Sequence, residues 1–146
     1  MSRTPRPAAR ILLVDPQDRL LMFRFDCGDE RPPFWCTPGG AVDPDESYEE
    51  AARRELLEET GIVADPGPQV LRRQSDFTTI ECVEVTADER YFLVRTEESE
   101  IDPAGHTELE RRVMQHWQWI APSDLPALGE AFFPADLPEI MAELLP

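Results

Sequence analysis

Residues 40–62 read GAVDPDESYEEAARRELLEETGI, and this stretch decides the fold. Within it, Glu55, Glu58 and Glu59 are spaced i, i+3 and i+4, so a helix would bring their side chains to one face. Carboxylates crowded together repel one another, and we therefore expect a cation among them. Oxygen ligands with no thiolate or imidazole nearby favour Mg²⁺ or Mn²⁺ over zinc.

Signals at both ends predict a helix over Tyr48 to Thr60. Ser47 followed three residues later by Glu50 forms a capping box, which makes Ser47 the expected N-cap. Gly61 stands where a left-handed C-terminal cap is needed. The pair Gly39-Gly40 precedes this helix, and adjacent glycines let a ligand approach the backbone closely. The sequence therefore predicts a carboxylate cluster on a rigid helix beside a glycine loop, which is typical of a metal-assisted phosphate site.

The same stretch resembles the signature of the Nudix hydrolase family. That signature reads Gly, five residues, Glu, seven residues, Arg-Glu, an aliphatic residue, any residue, Glu-Glu, any residue, Gly and an aliphatic residue. The chain matches it without departure at Gly40, Glu46, Arg54, Glu55, Leu56, Glu58, Glu59, Gly61 and Ile62. A complete match of this length is a specific signal, unlike a lone glycine-rich loop.

The resemblance implies an α/β fold, a Nudix-type α/β/α sandwich around a mixed β-sheet, with residues 1–146 forming a single Nudix hydrolase domain. Nudix hydrolases cleave nucleoside diphosphates linked to another moiety, by water attack at phosphorus. The expected substrate is therefore a nucleotide sugar, a dinucleotide or a nucleoside triphosphate, and the expected cofactor is Mg²⁺ or Mn²⁺. A homodimer is compatible with the resemblance, since many relatives are dimers.

The resemblance also implies roles for the residues of the signature. Glu58 and Glu59 are expected to be metal ligands, and Glu55 either a ligand or a group that helps to activate the attacking water. Arg54 would orient Glu55 through a charge-assisted hydrogen bond. Glu46 lies outside the helix and is expected to support the loop.

Substrate-binding and further metal-binding residues are expected outside the helix. Gly39 and Gly40 would supply backbone geometry at the substrate. Family members often use one more acidic ligand, for which Glu108 or Glu110 is the leading candidate. Three other glutamates compete with them: Glu84, Glu97 and Glu98.

Two interpretations stay open for Arg24, which resembles a position that contacts phosphate in some relatives but also fits a solvated strand arginine. Phe34 and Trp35 are flat enough to stack on a base, although a core position is the favoured interpretation. The remaining candidates are interpreted as core, structural or surface residues: Trp117, Trp119, His106, His116 and Cys36.

The composition limits the possible partners. The chain has 146 residues and a net charge of −16, which repels nucleic-acid phosphates and anionic membranes. The charge therefore argues against general nucleic-acid binding and membrane association, and the family resemblance implies a small-molecule nucleoside diphosphate derivative as the partner. No apolar run approaches the roughly 20 residues of a membrane span. Three cysteines without a C-x-x-C pair suit a reducing compartment, so a cytoplasmic location is expected.

Hydrophobic patterns and turn residues predict further strands and helices around the signature. Predicted strands cover residues 9–14, 19–25, 34–37, 70–80, 90–96 and 113–120. A short helical turn is predicted for residues 122–128 and a closing helix for residues 137–145. Three loops are candidates for substrate specificity, at residues 26–33, 76–89 and 97–105.

Three alternatives to hydrolysis stay open at this point. The first is a non-catalytic, nucleotide-binding regulatory domain of Nudix type, although such a protein would have no chemical need for all three helix glutamates. The second is an isomerase of isoprenoid diphosphates, which would use added acid and base groups, and the only support for it is Cys36. The third is a purely structural acidic domain, which would leave the glutamate cluster unexplained.

Overall fold

The structure is a computed structural model that describes residues 3–28 and 31–145. Residues 29 and 30, part of one predicted specificity loop, lie outside the described residues. The strands are β1 (Thr4–Val14), β2 (Leu20–Phe25), β3 (Phe34–Cys36), β4 (Gly39–Ala41), β5 (Gln69–Thr78), β6 (Glu84–Arg95), β7 (His116–Ile120) and β8 (Ala131–Phe133). The helices are α1 (Tyr48–Thr60), α2 (Glu108–Val113) and α3 (Leu137–Leu144), with 3₁₀ helices at Pro103–Gly105 and Pro122–Leu128.

Helix α1 begins and ends as its sequence predicts. The Ser47 hydroxyl accepts a hydrogen bond from the Glu50 N–H, and the Glu50 carboxylate accepts one from the Ser47 N–H, which completes the capping box. Gly61 adopts φ 78° and donates its N–H to the Leu57 carbonyl at 2.9 Å. Because local chemistry determines both ends, the three glutamates have a fixed rotational setting on the helix.

The chain divides into two compact units. The first unit contains residues 3–12, 39–94 and 101–105. In it β1 pairs antiparallel with β4, with Ala9 opposite Gly40 and Arg10 opposite Gly39, and β6 neighbours both β5 and β1. Helix α1 contacts β4 and the 3₁₀ helix Pro103–Gly105. Ala51 and Ala52 are buried on α1, whereas Leu57 is 50% exposed, so one side of this helix faces solvent.

The second unit contains residues 13–38, 95–100 and 106–145. Strand β2 is central to it and pairs antiparallel with β3 and with β7. Strand β3 pairs parallel with β8, so the sheet is mixed, and the prediction of an α/β class with a mixed sheet is confirmed. The core of this unit combines β2 with residues that follow α2 or lie in the last helix: Leu20, Leu21, Met22, Phe23, Met114, Leu137 and Met141.

The predicted strand over residues 113–120 was too long. It begins at His116, since Val113 is the last residue of α2 and Met114 is its C-cap. The Thr107 hydroxyl accepts from the Glu110 N–H at 3.1 Å, and the Glu110 carboxylate accepts from the Thr107 N–H at 2.8 Å. This capping box starts a helix in a segment for which no element had been predicted, and only the last helix residue, Val113, lay within the predicted strand.

Other element boundaries also differ from the sequence predictions. Strands β1 and β6 begin earlier than predicted, at Thr4 and Glu84, and the three-residue strands β4 and β8 were not predicted. Strand β1 accommodates Pro7, whose carbonyl accepts the Val42 N–H at 2.9 Å. None of the helices in residues 3–28 and 31–145 has the length and apolar content to cross a bilayer.

Candidate active site

Arg54 is the centre of an ion-pair network in the first unit. Its Nε and Nη2 donate to the two carboxylate oxygens of Glu46 at 2.8 and 2.9 Å, and Nη2 also donates to the Ala41 carbonyl at 3.0 Å. Its Nη1 donates to Glu55 Oε1 at 3.0 Å and to Glu58 Oε2 at 3.3 Å. The hydrogen bond predicted between Arg54 and Glu55 is therefore present.

The network lowers the pKa of Glu46 and raises the pKa of Arg54. Hydrogen bonding to Arg54 lowers the pKa of Glu46, and a hydrogen bond from the Asp43 N–H lowers it further. The pKa of Arg54 is raised, chiefly by its hydrogen bonds to Glu46 and also by the charge of Glu55. Arg54 therefore keeps its charge, and Glu46 anchors it between the loop and the helix.

The glycine pair lies against two of the glutamates. The Gly39 N–H donates to Glu59 Oε1 at 2.6 Å, and Gly39 has φ 137°, a conformation that side chains rarely adopt. A Cβ on Gly40 would lie 2.7 Å from Glu55 Oε1, closer than carbon and oxygen can approach without displacement. Only glycine therefore leaves room at position 40 for the Glu55 carboxylate.

The three helix glutamates differ in exposure. Glu55 and Glu59 are buried, whereas the Glu58 side chain is 45% exposed. Carboxylate oxygens on adjacent turns beside a backbone loop are ligands of the kind that Mg²⁺ and Mn²⁺ prefer, so the donor set fits a hard divalent cation. Within the part of the chain that the structure describes, no group of His, Cys, Asp or Glu side chains is already arranged to hold a metal ion. The metal-ligand roles of these glutamates therefore stay predictions.

The further acidic candidates lie on other elements. Glu108 and Glu110 are in the first turn of α2, in the second unit, and Glu110 is engaged in the capping box with Thr107. Glu97 and Glu98 belong to the second unit as well, and Glu84 is an exposed residue at the start of β6. Nothing in these positions singles out one of them as a metal ligand.

Sequence reasoning missed Glu89, a half-buried carboxylate in β6. It accepts a hydrogen bond from Arg10 Nε at 2.8 Å, and Arg10 Nη1 reaches the Gly39 carbonyl at 3.4 Å. Glu89 lies two residues from the buried Ala87 and two from the buried Tyr91, so all three are on the same face of the strand. A charged residue at an inward position of an alternating strand is the signal that could have identified it.

Arg24 lies in the second unit and is paired with a carboxylate. Its Nε and Nη2 donate to Glu130 Oε1 and Oε2 at 2.9 and 2.7 Å, and Trp35 Nε1 donates to Glu130 Oε1 at 2.8 Å. The hydrogen bonds from Arg24, and then from Trp35, lower the pKa of Glu130 to about 2. Arg24 is thus a bidentate partner of Glu130 and not a fully solvated arginine.

A cavity of about 280 Å³ adjoins Arg24 in the second unit. Its charged and polar lining includes Asp26, Arg112 and His116, of which His116 is exposed on β7. The cavity offers cationic groups, but Arg24 is already ion-paired with Asp26 and Glu130. A phosphate role for Arg24 stays a prediction.

The aromatic candidates, His106 and Cys36 are buried or half-buried, and several of their rings pack against other aromatic rings. Trp35 is buried, in agreement with the favoured core position, and the Phe34 ring is stacked on Phe25 at 5.2 Å. His106 is buried with its ring against Phe23 and Trp117. The predicted core positions of Trp117 and Trp119 are only half-buried, and Cys36 is half-buried as well.

Comparison with known proteins decides the family. The family model described as "NUDIX domain" matches residues 4–144 of the chain. The chain belongs to the Nudix family. The resemblance predicted from residues 40–62 is therefore confirmed over nearly the whole sequence.

Curated Nudix relatives carry pyrophosphohydrolase and diphosphatase names. An RNA pyrophosphohydrolase of Erythrobacter litoralis is 32% identical over 106 residues, which cover 64% of this chain and 63% of that protein. A putative 8-oxo-dGTP diphosphatase of Bacillus subtilis is 55% identical over 54 residues, which cover 37% of this chain and 33% of that protein. The chain thus spans less than two thirds of the length of these relatives.

Solved structures confirm the Nudix fold. The MutT protein from Methanosarcina mazei superposes with a TM-score of 0.68 at 20% identity, covering 98% of this chain and 94% of that chain. At this level of identity the likeness concerns the arrangement of the backbone. The chemistry has to be argued from the site itself.

Proposed function

We propose that this Nudix protein hydrolyses the diphosphate linkage of a nucleoside diphosphate joined to another moiety, in a reaction that depends on Mg²⁺ or Mn²⁺. The observation that carries the proposal is the contact set around α1. Arg54 donates to both Glu55 and Glu58, and the Gly39 N–H donates to Glu59. Carboxylates held in this way on a rigid element can orient a cation and a diphosphate with little reorganisation.

Each residue has a role in the proposed reaction. Glu58 and Glu59, with Glu55, would hold the cation, whose chemistry when bound is to neutralise phosphate charge and to lower the pKa of the attacking water. Where Glu55 is not itself a ligand, it would accept the proton of that water, and Arg54 would keep the Glu55 carboxylate oriented. A new bond would form between the water oxygen and phosphorus, and the bridging P–O bond would break with its electron pair leaving on the bridging oxygen, so that the other portion departs as a phosphate oxyanion.

The charge of the chain supports a small substrate. A net charge of −16 disfavours a long polyanion such as RNA, because repulsion grows with each phosphate, whereas a cation-bound nucleotide carries far less negative charge. Among the relatives' names, 8-oxo-dGTP diphosphatase specifies such a small nucleotide and RNA pyrophosphohydrolase does not. We therefore place nucleotide sugars, dinucleotides and nucleoside triphosphates ahead of RNA 5′ ends.

The two units are proposed to make up one Nudix domain, since the family model spans residues 4–144. The metal-ligand role expected of Glu108 or Glu110 and the substrate contact expected of Arg24 stay predictions. Cytoplasmic location and homodimer formation stay predictions.

A panel of diphosphate compounds tests the proposed function. Each compound is incubated with Mg²⁺, with Mn²⁺ or with a chelator, and the products are separated by chromatography. We expect metal-dependent cleavage of at least one nucleotide, and loss of that cleavage in Glu58→Gln with the fold retained. A matched control is Glu49→Gln, which removes an exposed carboxylate from the same helix. Full turnover by a folded Glu58→Gln protein would contradict the metal role, and nucleotide binding without turnover would favour the regulatory alternative.

A further inference from the structure

Arg6 occupies a position in β1 next to the glycine loop. It precedes Pro7, whose carbonyl accepts the Val42 N–H at 2.9 Å, and Ala8, which pairs with Ala41. Four residues later on the same strand, Arg10 is opposite Gly39. Since side chains alternate along a strand, Arg6 and Arg10 extend from the same face of β1.

The Nη1 atom of Arg6 is buried and has no hydrogen-bond partner. In residues 3–28 and 31–145 only one other buried side-chain nitrogen or oxygen shares this property, Nε of Arg90. Arg90 is otherwise engaged, because its Nη2 donates to Asp88 at 3.3 Å and its guanidinium lies 4.2 Å from the centre of the Tyr48 ring. Arg6 Nη1, in contrast, forms no hydrogen bond with any residue that the structure describes.

Neighbouring arginines show that acceptors are not scarce here. Arg3 donates to the carbonyls of Phe77 and Val85, and Arg10 is ion-paired with Glu89 at 2.8 Å. The chain contains 30 Asp and Glu residues, yet no carboxylate among the described residues accepts from Arg6 Nη1. An unsatisfied buried donor on a charged group costs stability, so this position is best explained by a ligand that completes it.

The charge of Arg6 itself favours an anionic ligand. Burial and the charge of Arg10 lower the pKa of Arg6, while the charges of Glu89 and Glu55 raise it. Arginine stays protonated in proteins, so Arg6 is a cation close enough to Glu55 to sense its charge. A guanidinium presents several N–H groups in a plane, which matches the oxygen atoms of a phosphate.

We propose that Arg6 binds a phosphate oxygen of the nucleotide at the glycine-loop end of the glutamate site. This assignment deepens the proposed function and rests on it. The phosphate belongs either to the nucleoside monophosphate portion or to the portion that leaves, and both present the same oxyanion. Arg10, held by Glu89 and by the Gly39 carbonyl, adds positive charge beside it.

Steady-state kinetics of Arg6→Gln and Arg6→Lys test the assignment. Arg3→Gln is the matched control, because it removes one positive charge from a nearby arginine that has its own acceptors. Loss of a charge-assisted hydrogen bond predicts that KM rises roughly ten- to hundredfold in Arg6→Gln, with kcat changed by less than about threefold. The KM of Arg6→Lys is expected to lie between those of Arg6→Gln and the unsubstituted protein. The KM of Arg3→Gln is expected to match that of the unsubstituted protein. An unchanged KM in folded Arg6→Gln overturns the assignment.

Thermal stability separates a binding role from a structural one. If Arg6 is kept for a ligand, removing its unsatisfied charge leaves the melting temperature unchanged or higher. If Arg6 has a structural role, its removal is expected to lower the melting temperature. A lower melting temperature in Arg6→Gln together with an unchanged KM in Arg6→Lys overturns the proposal.

Product inhibition identifies the source of the phosphate. Weaker inhibition of Arg6→Gln by inorganic phosphate assigns Arg6 to the leaving portion, and weaker inhibition by a nucleoside monophosphate assigns it to the retained portion. Either result supports the proposal. Inhibition by both compounds at unchanged concentrations overturns it.

A binding assay makes the result independent of turnover. Imidodiphosphate, in which nitrogen replaces the bridging oxygen, is added with Mg²⁺ and the shift in melting temperature is recorded. We expect a shift in the unsubstituted protein and in Arg3→Gln, and its loss in Arg6→Gln. Equal shifts, or no shift in any of the three proteins, overturn the role of Arg6. Failure of the substrate panel with a shift that depends on Arg6 overturns the proposed hydrolysis alone.

Discussion

Glu55 is held in place by two residues that act in different ways. Arg54 donates a hydrogen bond to Glu55 Oε1 at 3.0 Å, while Gly40 leaves the space that the carboxylate occupies. Glu46 in turn holds Arg54 through a bidentate pair. The orientation of the proposed base therefore depends on a small residue and a distant carboxylate as much as on its own helix.

Gly40→Ala tests this dependence at the level of one methyl group. The new Cβ would lie 2.7 Å from Glu55 Oε1, so the carboxylate has to move. We expect kcat to fall by about ten- to hundredfold, because small displacements of a catalytic group are costly. Gly67→Ala is the control, since a Cβ there meets nothing within 4 Å. Equal kcat values for Gly40→Ala and the unsubstituted protein would show that the position of Glu55 does not matter.

The low pKa of Glu130 predicts that its ion pair contributes to the stability of the fold in a pH-dependent way. Its pKa is about 2 in the folded protein and about 4.5 as an ordinary glutamate, so its pairing with Arg24 and Trp35 stabilises the fold above pH 4.5. That contribution decreases as the pH falls from about 4.5 towards 2. We expect Glu130→Gln to lower the melting temperature at pH 7, and the difference from the unsubstituted protein to shrink at pH 3. A difference that stays constant between these pH values would contradict the pairing.

Helix α1 is the element that the sequence predicts best, because its limits depend on residues close in sequence. Ser47 and Glu50 cap one end, and Gly61 caps the other with φ 78°. The ion pairs around it are harder to predict, since Arg10 and Glu89 come from strands that are far apart in the chain. The helix glutamates could be singled out from their spacing together with the family signature, whereas Arg6 and Glu89 required knowledge of which side chains are buried together.

Gly61→Ala measures how strongly the end of α1 is fixed. Alanine is strained at this positive φ, and its Cβ would lie 2.8 Å from Asp102 Cβ. At Gly67 the φ is +69° but no atom lies within 4 Å, so Gly67→Ala reports the backbone strain by itself. We expect both variants to lose about 1 kcal/mol of unfolding free energy, and Gly61→Ala to lose roughly 1 kcal/mol more. Denaturant unfolding gives both values, and equal losses would show that the Asp102 contact relaxes without cost.

Three-residue strands and competing patterns explain the elements that sequence reasoning missed. β4 and β8 contain too few residues to show alternation, and their pairing with β1 and β3 is a long-range property. The start of α2 was visible as the local capping box of Thr107 and Glu110, but no helix was predicted from it. Tertiary contacts decided the short strands, whereas a local signal was overlooked for α2.

At the scale of the whole molecule, the negative charge opposes the binding of an anionic substrate. A net charge of −16 repels a nucleotide over a distance that salt shortens. In the proposed site, a bound cation and Arg6 would have to overcome this repulsion. The proposal therefore predicts selectivity for compounds that arrive with a divalent cation.

Ionic strength tests the balance directly. At a fixed concentration of free Mg²⁺, we expect KM to fall as KCl is raised from about 10 to about 150 mM, because screening weakens the long-range repulsion. A basic nucleotide-binding protein would show the opposite trend. A KM that rises with KCl would mean that local attraction, and not the net charge, governs the approach of the substrate.

Binding of Mn²⁺ tests the central claim most directly, that the helix glutamates hold a divalent cation. Isothermal titration calorimetry is carried out on the unsubstituted protein, on Glu58→Gln and on the control Glu49→Gln, each with and without a nucleotide. We predict saturable uptake of Mn²⁺ by the unsubstituted protein and by Glu49→Gln, and affinity reduced at least about tenfold in Glu58→Gln. No uptake by the unsubstituted protein under either condition, or equal affinity in all three proteins, would contradict the account.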